Sequence, residues 1–193
     1  MAGWRSKDSM QGKILNVPNL LTLARIILTP FIVYAILKGE AVMALLFMVT
    51  AGLTDMLDGA IARYFNQRST VGAYMDPLAD KLMLIGTIVA LFIIDQVPLY
   101  LFLAVVFRDA IIIIGAIAYE LVTHRLKMEP SMASKATTFF QIVFVVSVLL
   151  HAIWPLPEVL MQAILWLTFA LTCLSGVQYM LVWMRKAVNV EDG

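Results

Sequence analysis

Six apolar runs, each close to 20 residues long, divide the chain between short polar breaks. A bilayer core of roughly 30 Å takes about 20 helical residues to cross. In hydrocarbon every backbone N–H and C=O needs an internal partner, and a helix supplies one within a single segment. The runs cover about 19–37, 41–64, 72–94, 99–123, 134–153 and 158–183. They predict an all-α, polytopic membrane protein with six transmembrane helices, forming one domain over 1–193. Composition agrees: 62% of residues are hydrophobic and 14% charged, against roughly 25% charged in an average soluble domain. Cys173 is the single cysteine, so an intrachain disulfide framework is excluded.

Residues 1–17 are mixed and basic, with Trp4, Arg5, Lys7 and Lys13. No secretory signal pattern follows. They suit an interfacial N-terminal segment, with Trp4 near the headgroups and the lysines toward anionic lipid, or else a frayed polar tail. Orientation follows from the basic residues. With a cytoplasmic N-terminus, Arg5, Lys7, Lys13, Arg68, Arg125, Lys127, Arg185 and Lys186 fall on the inner side and only Lys38 outside. Both termini and the loop between the second and third helices are then cytoplasmic. Without an Arg- and Ser-rich transit peptide, a bacterial inner membrane is the expected location.

Against this apolar background, Asp55, Asp58, Asp76 and Asp80 fall within 26 residues. Asp55 and Asp58 are three apart, and Asp76 and Asp80 four apart. On a helix either spacing sets both carboxylates on one face, about one turn apart. Two such helices facing each other would bring four carboxylates to one point. That cluster needs cations, and oxygen ligands of this kind suit magnesium, calcium or manganese. Carboxylates inside a membrane span are costly and mark function; solvated helix-end aspartates are the plainer alternative. Gly59 and Ala62 lie one turn apart beside them. Small residues there admit a ligand close to the backbone, or serve helix packing. Arg63 can bind a phosphate or snorkel to the headgroups. Metals, an arginine and a small-residue floor describe a pyrophosphate site.

The pattern Asp55-x2-Asp58-Gly59-x2-Ala62-Arg63-x8-Gly72-x3-Asp76-x3-Asp80 resembles, without departure, the signature of the CDP-alcohol phosphotransferase family. The resemblance implies a six-helix membrane fold, usually homodimeric, with two divalent cations, Mg2+ or Mn2+. It implies transfer of a phosphatidyl or related group from a CDP-alcohol to an acceptor hydroxyl, with release of CMP. Asp55, Asp58, Asp76 and Asp80 would bind the metals, and Asp80 would also be the general base. Asn19, Thr22, Asp55, Gly59, Ala62, Arg63 and Gly72 would contact the CDP. Asn19, Thr22 and Arg25 recur every three residues as a polar stripe on the first helix, which the resemblance sets beside the nucleotide. The alternative for the stripe is an N-cap with a snorkelling arginine.

Arg25, Arg108 and Lys135 are candidate ligands for the acceptor or its phosphate. Arg108-Asp109 falls near the middle of the fourth helix, where an arginine costs at least a few kcal/mol. It is either an anion ligand or the partner of a nearby carboxylate. Lys135 opens the fifth helix and either holds the acceptor phosphate or anchors the helix. His124 and His151 carry no assigned role. Among family members, phosphatidylglycerophosphate synthases usually carry Arg-Glu in helix four and a further arginine eight residues on; here Arg108-Asp109 and Ala116 stand there. CMP-forming cardiolipin synthases resemble the chain in more places, including Arg108-Asp109, Ser134-Lys135, Arg185-Lys186-Ala187-Val188 and the opening Asn16 to Thr22. The expected substrates are therefore CDP-diacylglycerol and phosphatidylglycerol within membrane lipid, with glycerol 3-phosphate as the alternative acceptor. Nucleic acid is not an expected partner. A cation carrier is the reading from another class, but it would want polar residues through the full membrane thickness, and here they crowd on the inner side.

Overall fold

The computed structural model describes residues 17–64, 70–123 and 132–191, with side chains over 22–54, 78–115 and 132–182. Among these residues there are six helices and no strand: α1 (Val17–Leu37), α2 (Ala41–Tyr64), α3 (Thr70–Ile93), α4 (Leu99–Thr123), α5 (Met132–Ile153) and α6 (Glu158–Glu191). The helices begin and end within about two residues of the apolar runs, except that α6 continues to Glu191. Arg185, Lys186 and Ala187 are good helix formers, and neither Gly nor Pro interrupts before Gly193. At 34 residues, α6 is about 51 Å long, more than a bilayer core needs. Among the described side chains, Met132–Ile153 and Glu158–Val182 are long and apolar enough to cross a membrane. The interfacial segment before Val17, the breaks at 65–69 and 124–131, and Arg68, His124, Arg125 and Lys127 lie outside the described residues.

The helices fall into two compact units, Met1–Gly86 and Thr87–Gly193. In the first, α1 packs on α2. Ile32, Ala35 and Ile36 are buried on α1, and Ala44, Met48 and Ala51 are buried on α2 at helical spacing. Alanines let the two backbones approach closely, as small residues do between membrane helices. The turn between them is a Schellman cap. Gly39 takes φ +74, its N–H bonds Ile36 O at 2.9 Å, and the Glu40 N–H bonds Ala35 O at 2.9 Å. The backbone of α3 also comes close to α1. A Cβ on Gly86 would sit 3.3 Å from Val33 Cγ2 and 3.6 Å from Thr29 Cγ2.

In the second unit, α4 and α5 both pack on α6. Leu101 and Val105 of α4 and Phe144, Val145, Val148 and Leu149 of α5 are buried. A polar seam runs between α5 and α6. The Thr137 hydroxyl shares its hydrogen between Ala133 O at 2.9 Å and Leu171 O at 3.0 Å. Thr168 does the same with Ile164 O at 2.7 Å and Phe140 O at 3.2 Å. Gln141 Nε2 donates to Thr172 Oγ1 at 3.3 Å. All four side chains are buried, and hydrogen bonds of this kind fix register between apolar helices. Beyond α5, His151 Nδ1 accepts the Leu156 N–H at 3.0 Å, closing the Trp154-Pro155-Leu156-Pro157 turn; the Pro157 carbonyl then starts α6.

Candidate active site

The late turns of α2 carry Asp55, Asp58, Gly59, Ala62 and Arg63, and the first half of α3 carries Gly72, Asp76 and Asp80. Both stretches are unbroken helix, so the three- and four-residue spacings of the aspartates are helical register. The side chains at 55–64 and 70–77, and that of Asn19, lie outside the described set. Asp80 is thus the member of the aspartate cluster whose surroundings are described.

Thr22 and Arg25, three residues apart on α1, are wholly buried. The Arg25 guanidinium does not snorkel. Its Nη1 donates to Asp80 Oδ1 on α3, forming an ion pair across 55 residues of sequence. Arg25 has no exposure, whereas the Asp80 side chain is 50% exposed. Ala79 and Met83 beside it on α3 are buried. The pair therefore has an enclosed cationic half and an open anionic half. Enclosing an arginine is costly unless it is paired, and the carboxylate supplies the pairing.

The open carboxylate is a hard oxygen donor, the type that magnesium and manganese take. Among the described residues no three His, Cys, Asp or Glu side chains come together, and three of the four cluster aspartates lie outside that set. Four aspartates brought together would offer donors that are oxygen only and anionic, a set that fits a divalent cation. A redox metal that wants sulfur or imidazole would find no such ligand in the cluster.

In the second unit Arg108 is the centre of a buried network. Its side chain is 4% exposed and that of Asp109 5%. Nη1 donates to Asp109 Oδ1 at 2.5 Å. Nη2 donates to Ser134 Oγ at 2.6 Å and Ser134 O at 3.4 Å. Nε donates to Ser175 Oγ at 3.4 Å. Of the five N–H groups a guanidinium offers, four have these partners. The arginine links α4 to the first turn of α5 and to α6, and it pairs with the carboxylate next to it in sequence. Lys135, next to Ser134, is exposed.

Ser175 and Gly86 were not singled out from the sequence, and Ser134 only as part of the Ser134-Lys135 resemblance. Ser175 had a readable signal: Thr168, Thr172 and Ser175 recur on α6 at spacings of four and three, a polar stripe in an apolar helix. Gly86 had none, because a glycine that admits a neighbouring helix looks the same in sequence as one that does not.

Residues 15–174 match the model of a family described as CDP-alcohol phosphatidyltransferase. A probable CMP-forming cardiolipin synthase of Drosophila melanogaster is 31% identical over 185 residues, covering 87% of this chain and 58% of that protein. A CMP-forming cardiolipin synthase of Rattus norvegicus is 32% identical over 195 residues, covering 92% of this chain and 64% of that protein. A CDP-diacylglycerol–glycerol-3-phosphate 3-phosphatidyltransferase of Aquifex aeolicus is 37% identical over 128 residues, covering 65% of this chain and 71% of that protein. The chain thus spans about three-fifths of the length of the two animal relatives. The family match runs from α1 through the first half of α6 and includes both aspartate-bearing helices, so the chain belongs to the CDP-alcohol phosphatidyltransferase family.

Proposed function

We propose that the protein is an integral-membrane transferase that moves the phosphatidyl group of CDP-diacylglycerol to a hydroxyl of phosphatidylglycerol, releasing CMP and forming cardiolipin. The observation that carries this reading is the eight-residue pattern from Asp55 to Asp80, in helical register on α2 and α3 and inside the family match. The acceptor choice is supported by the similarity to CMP-forming cardiolipin synthases and by Arg108-Asp109 and Ser134-Lys135. Phosphatidylglycerophosphate synthesis from glycerol 3-phosphate is the second reading, favoured by the similarity to the Aquifex aeolicus protein.

In this proposal six helices cross the membrane of a single-domain homodimer, in a bacterial inner membrane, with both termini and the active site cytoplasmic. Asp55, Asp58, Asp76 and Asp80 hold two divalent cations, Mg2+ or Mn2+, which when bound offset the charge of the diphosphate and of the departing CMP. Asn19, Thr22, Asp55, Gly59, Ala62, Arg63 and Gly72 line the CDP, with small side chains where the backbone approaches it. Asp80 takes the proton of the acceptor hydroxyl. The acceptor oxygen bonds to the phosphatidyl phosphorus, and the bond from that phosphorus to the CMP oxygen breaks. Of the acceptor candidates Arg25, Arg108 and Lys135, the exposed Lys135 meets the acceptor phosphate. Each enclosed arginine braces the helices of its own unit, Arg25 between α1 and α3 and Arg108 among α4, α5 and α6.

The test is an acceptor competition. Purified protein in lipid vesicles receives CDP-diacylglycerol with manganese or magnesium, and phosphatidylglycerol, glycerol 3-phosphate, serine or inositol phosphate in separate reactions. Cardiolipin formed from phosphatidylglycerol is the expected product. Product made only from glycerol 3-phosphate would move the assignment to the second reading.

A further inference from the structure

Arg25 is enclosed without exposure, and the carboxylate it meets is half exposed. Its helix is fixed against α3 next to the pair. The Thr29 hydroxyl bonds the Arg25 carbonyl at 2.9 Å, and Thr29 and Val33, four and eight residues after Arg25, meet α3 at Gly86. An arginine with no exposure could meet a substrate phosphate only by leaving its enclosure. Its charge already lies beside Asp80, and in the transferase reading Asp80 is one of four aspartates whose mutual repulsion has to be offset. We propose that Arg25 is a positioning residue for Asp80 and a resident counter-charge of the aspartate cluster, and not a ligand of the acceptor phosphate. The catalytic meaning of Asp80 and the gathering of the four aspartates around cations rest on the transferase reading above; the pair itself does not.

Two consequences separate this role from simple packing. With divalent cations removed, Arg25 is a positive charge offsetting the cluster, so its loss destabilises the cation-free protein most. With cations bound, the same guanidinium repels them, so its loss tightens cation binding.

The experiment melts the full-length protein in detergent, in EDTA and across a manganese titration. The variants are Arg25→Gln, Arg25→Lys, Asp80→Asn and the Arg25→Gln/Asp80→Asn double. For Arg25→Gln the expected result is a fall of several degrees in EDTA, mostly restored at saturating manganese, with a severalfold lower half-saturating concentration. Arg25→Lys regains part of the EDTA loss. The double variant melts well above the sum of the single losses, as coupled partners do. Should Arg25→Gln fail to fold, Arg25→Lys combined with Asp80→Asn supplies the cycle. An equal loss in EDTA and in saturating manganese, or additive single losses, would overturn the proposal. So would an Arg25→Gln effect confined to the KM of a phosphate-bearing acceptor. Absence of CMP release by the parent protein would remove the transferase reading and leave the melting cycle to decide the pair.

Discussion

Arg108 Nη2 donates to Ser134 Oγ at 2.6 Å, tying the middle of α4 to the first turn of α5. The same guanidinium holds Asp109 and Ser175, so its loss takes a positive charge away from a buried carboxylate. Removing one partner of such a pair costs about 3–5 kcal/mol. Arg108→Ala should cost that much in unfolding of the detergent-solubilised protein, followed by circular dichroism. Arg108→Lys should recover only part, because an ammonium lacks the planar fork. Ser134→Ala should cost about 0.6 kcal/mol, the usual worth of one hydrogen bond between membrane helices. Arg108→Ala no worse than Ser134→Ala would show that Arg108 is not the clamp.

Gly86 sets the approach of α3 to α1. The methyl of Gly86→Ala would lie 3.3 Å from Val33 Cγ2, a tight contact that the better helix propensity of alanine, up to about 1 kcal/mol, largely offsets. Gly86→Val adds two more methyl groups at the same place, and overpacking of this kind costs about 1–3 kcal/mol. It should also move Thr29 and Arg25, and with them the pair to Asp80. Thermal melting together with CMP release should show Gly86→Ala near the parent and Gly86→Val reduced in both.

The end of α3 uses Asp95 where α1 uses glycine. Asp95 takes φ 58, and the Gln96 N–H bonds Leu91 O at 2.9 Å in the same cap geometry. A side chain in this left-handed region costs about 1–2 kcal/mol, less for aspartate than for branched residues. Asp95→Gly should be neutral or gain about 0.5 kcal/mol after the added freedom of the unfolded chain. Asp95→Val should lose about 1–2 kcal/mol. Unfolding midpoints of the two variants check the sign.

Gln141 is buried with Oε1 lacking a hydrogen-bond partner among the described residues, while Nε2 reaches Thr172 at 3.3 Å. A half-satisfied amide contributes little net stability, and an apolar replacement of similar shape is near neutral or stabilising. Gln141→Met should change stability by less than about 1 kcal/mol. A larger loss would mean that Oε1 has a partner, such as a bound water.

How much of this was legible depended on period and composition. The six helices were, because 20-residue apolar runs and the breaks at Lys38-Gly39-Glu40 and Trp154 to Pro157 leave little choice. The Asp80 register was legible too, from four-residue spacing. The Arg25 pairing was not. An arginine eight residues inside α1 could snorkel, bind phosphate or pair, and only the tertiary approach of α3 decides among these. The length of α6 was missed because an apolar run marks where a helix is buried, not where it ends; Arg185 and Lys186 continue it in polar form.

Transfer by this protein is read out by following CMP in vesicles that contain it together with CDP-diacylglycerol and phosphatidylglycerol. CMP and cardiolipin should form in equal amounts, both lost in EDTA, restored by manganese or magnesium, and reduced roughly 10²–10⁴-fold in Asp80→Asn. CMP released at the parental rate by Asp80→Asn, or no CMP with any acceptor and either cation, would contradict the proposed mechanism.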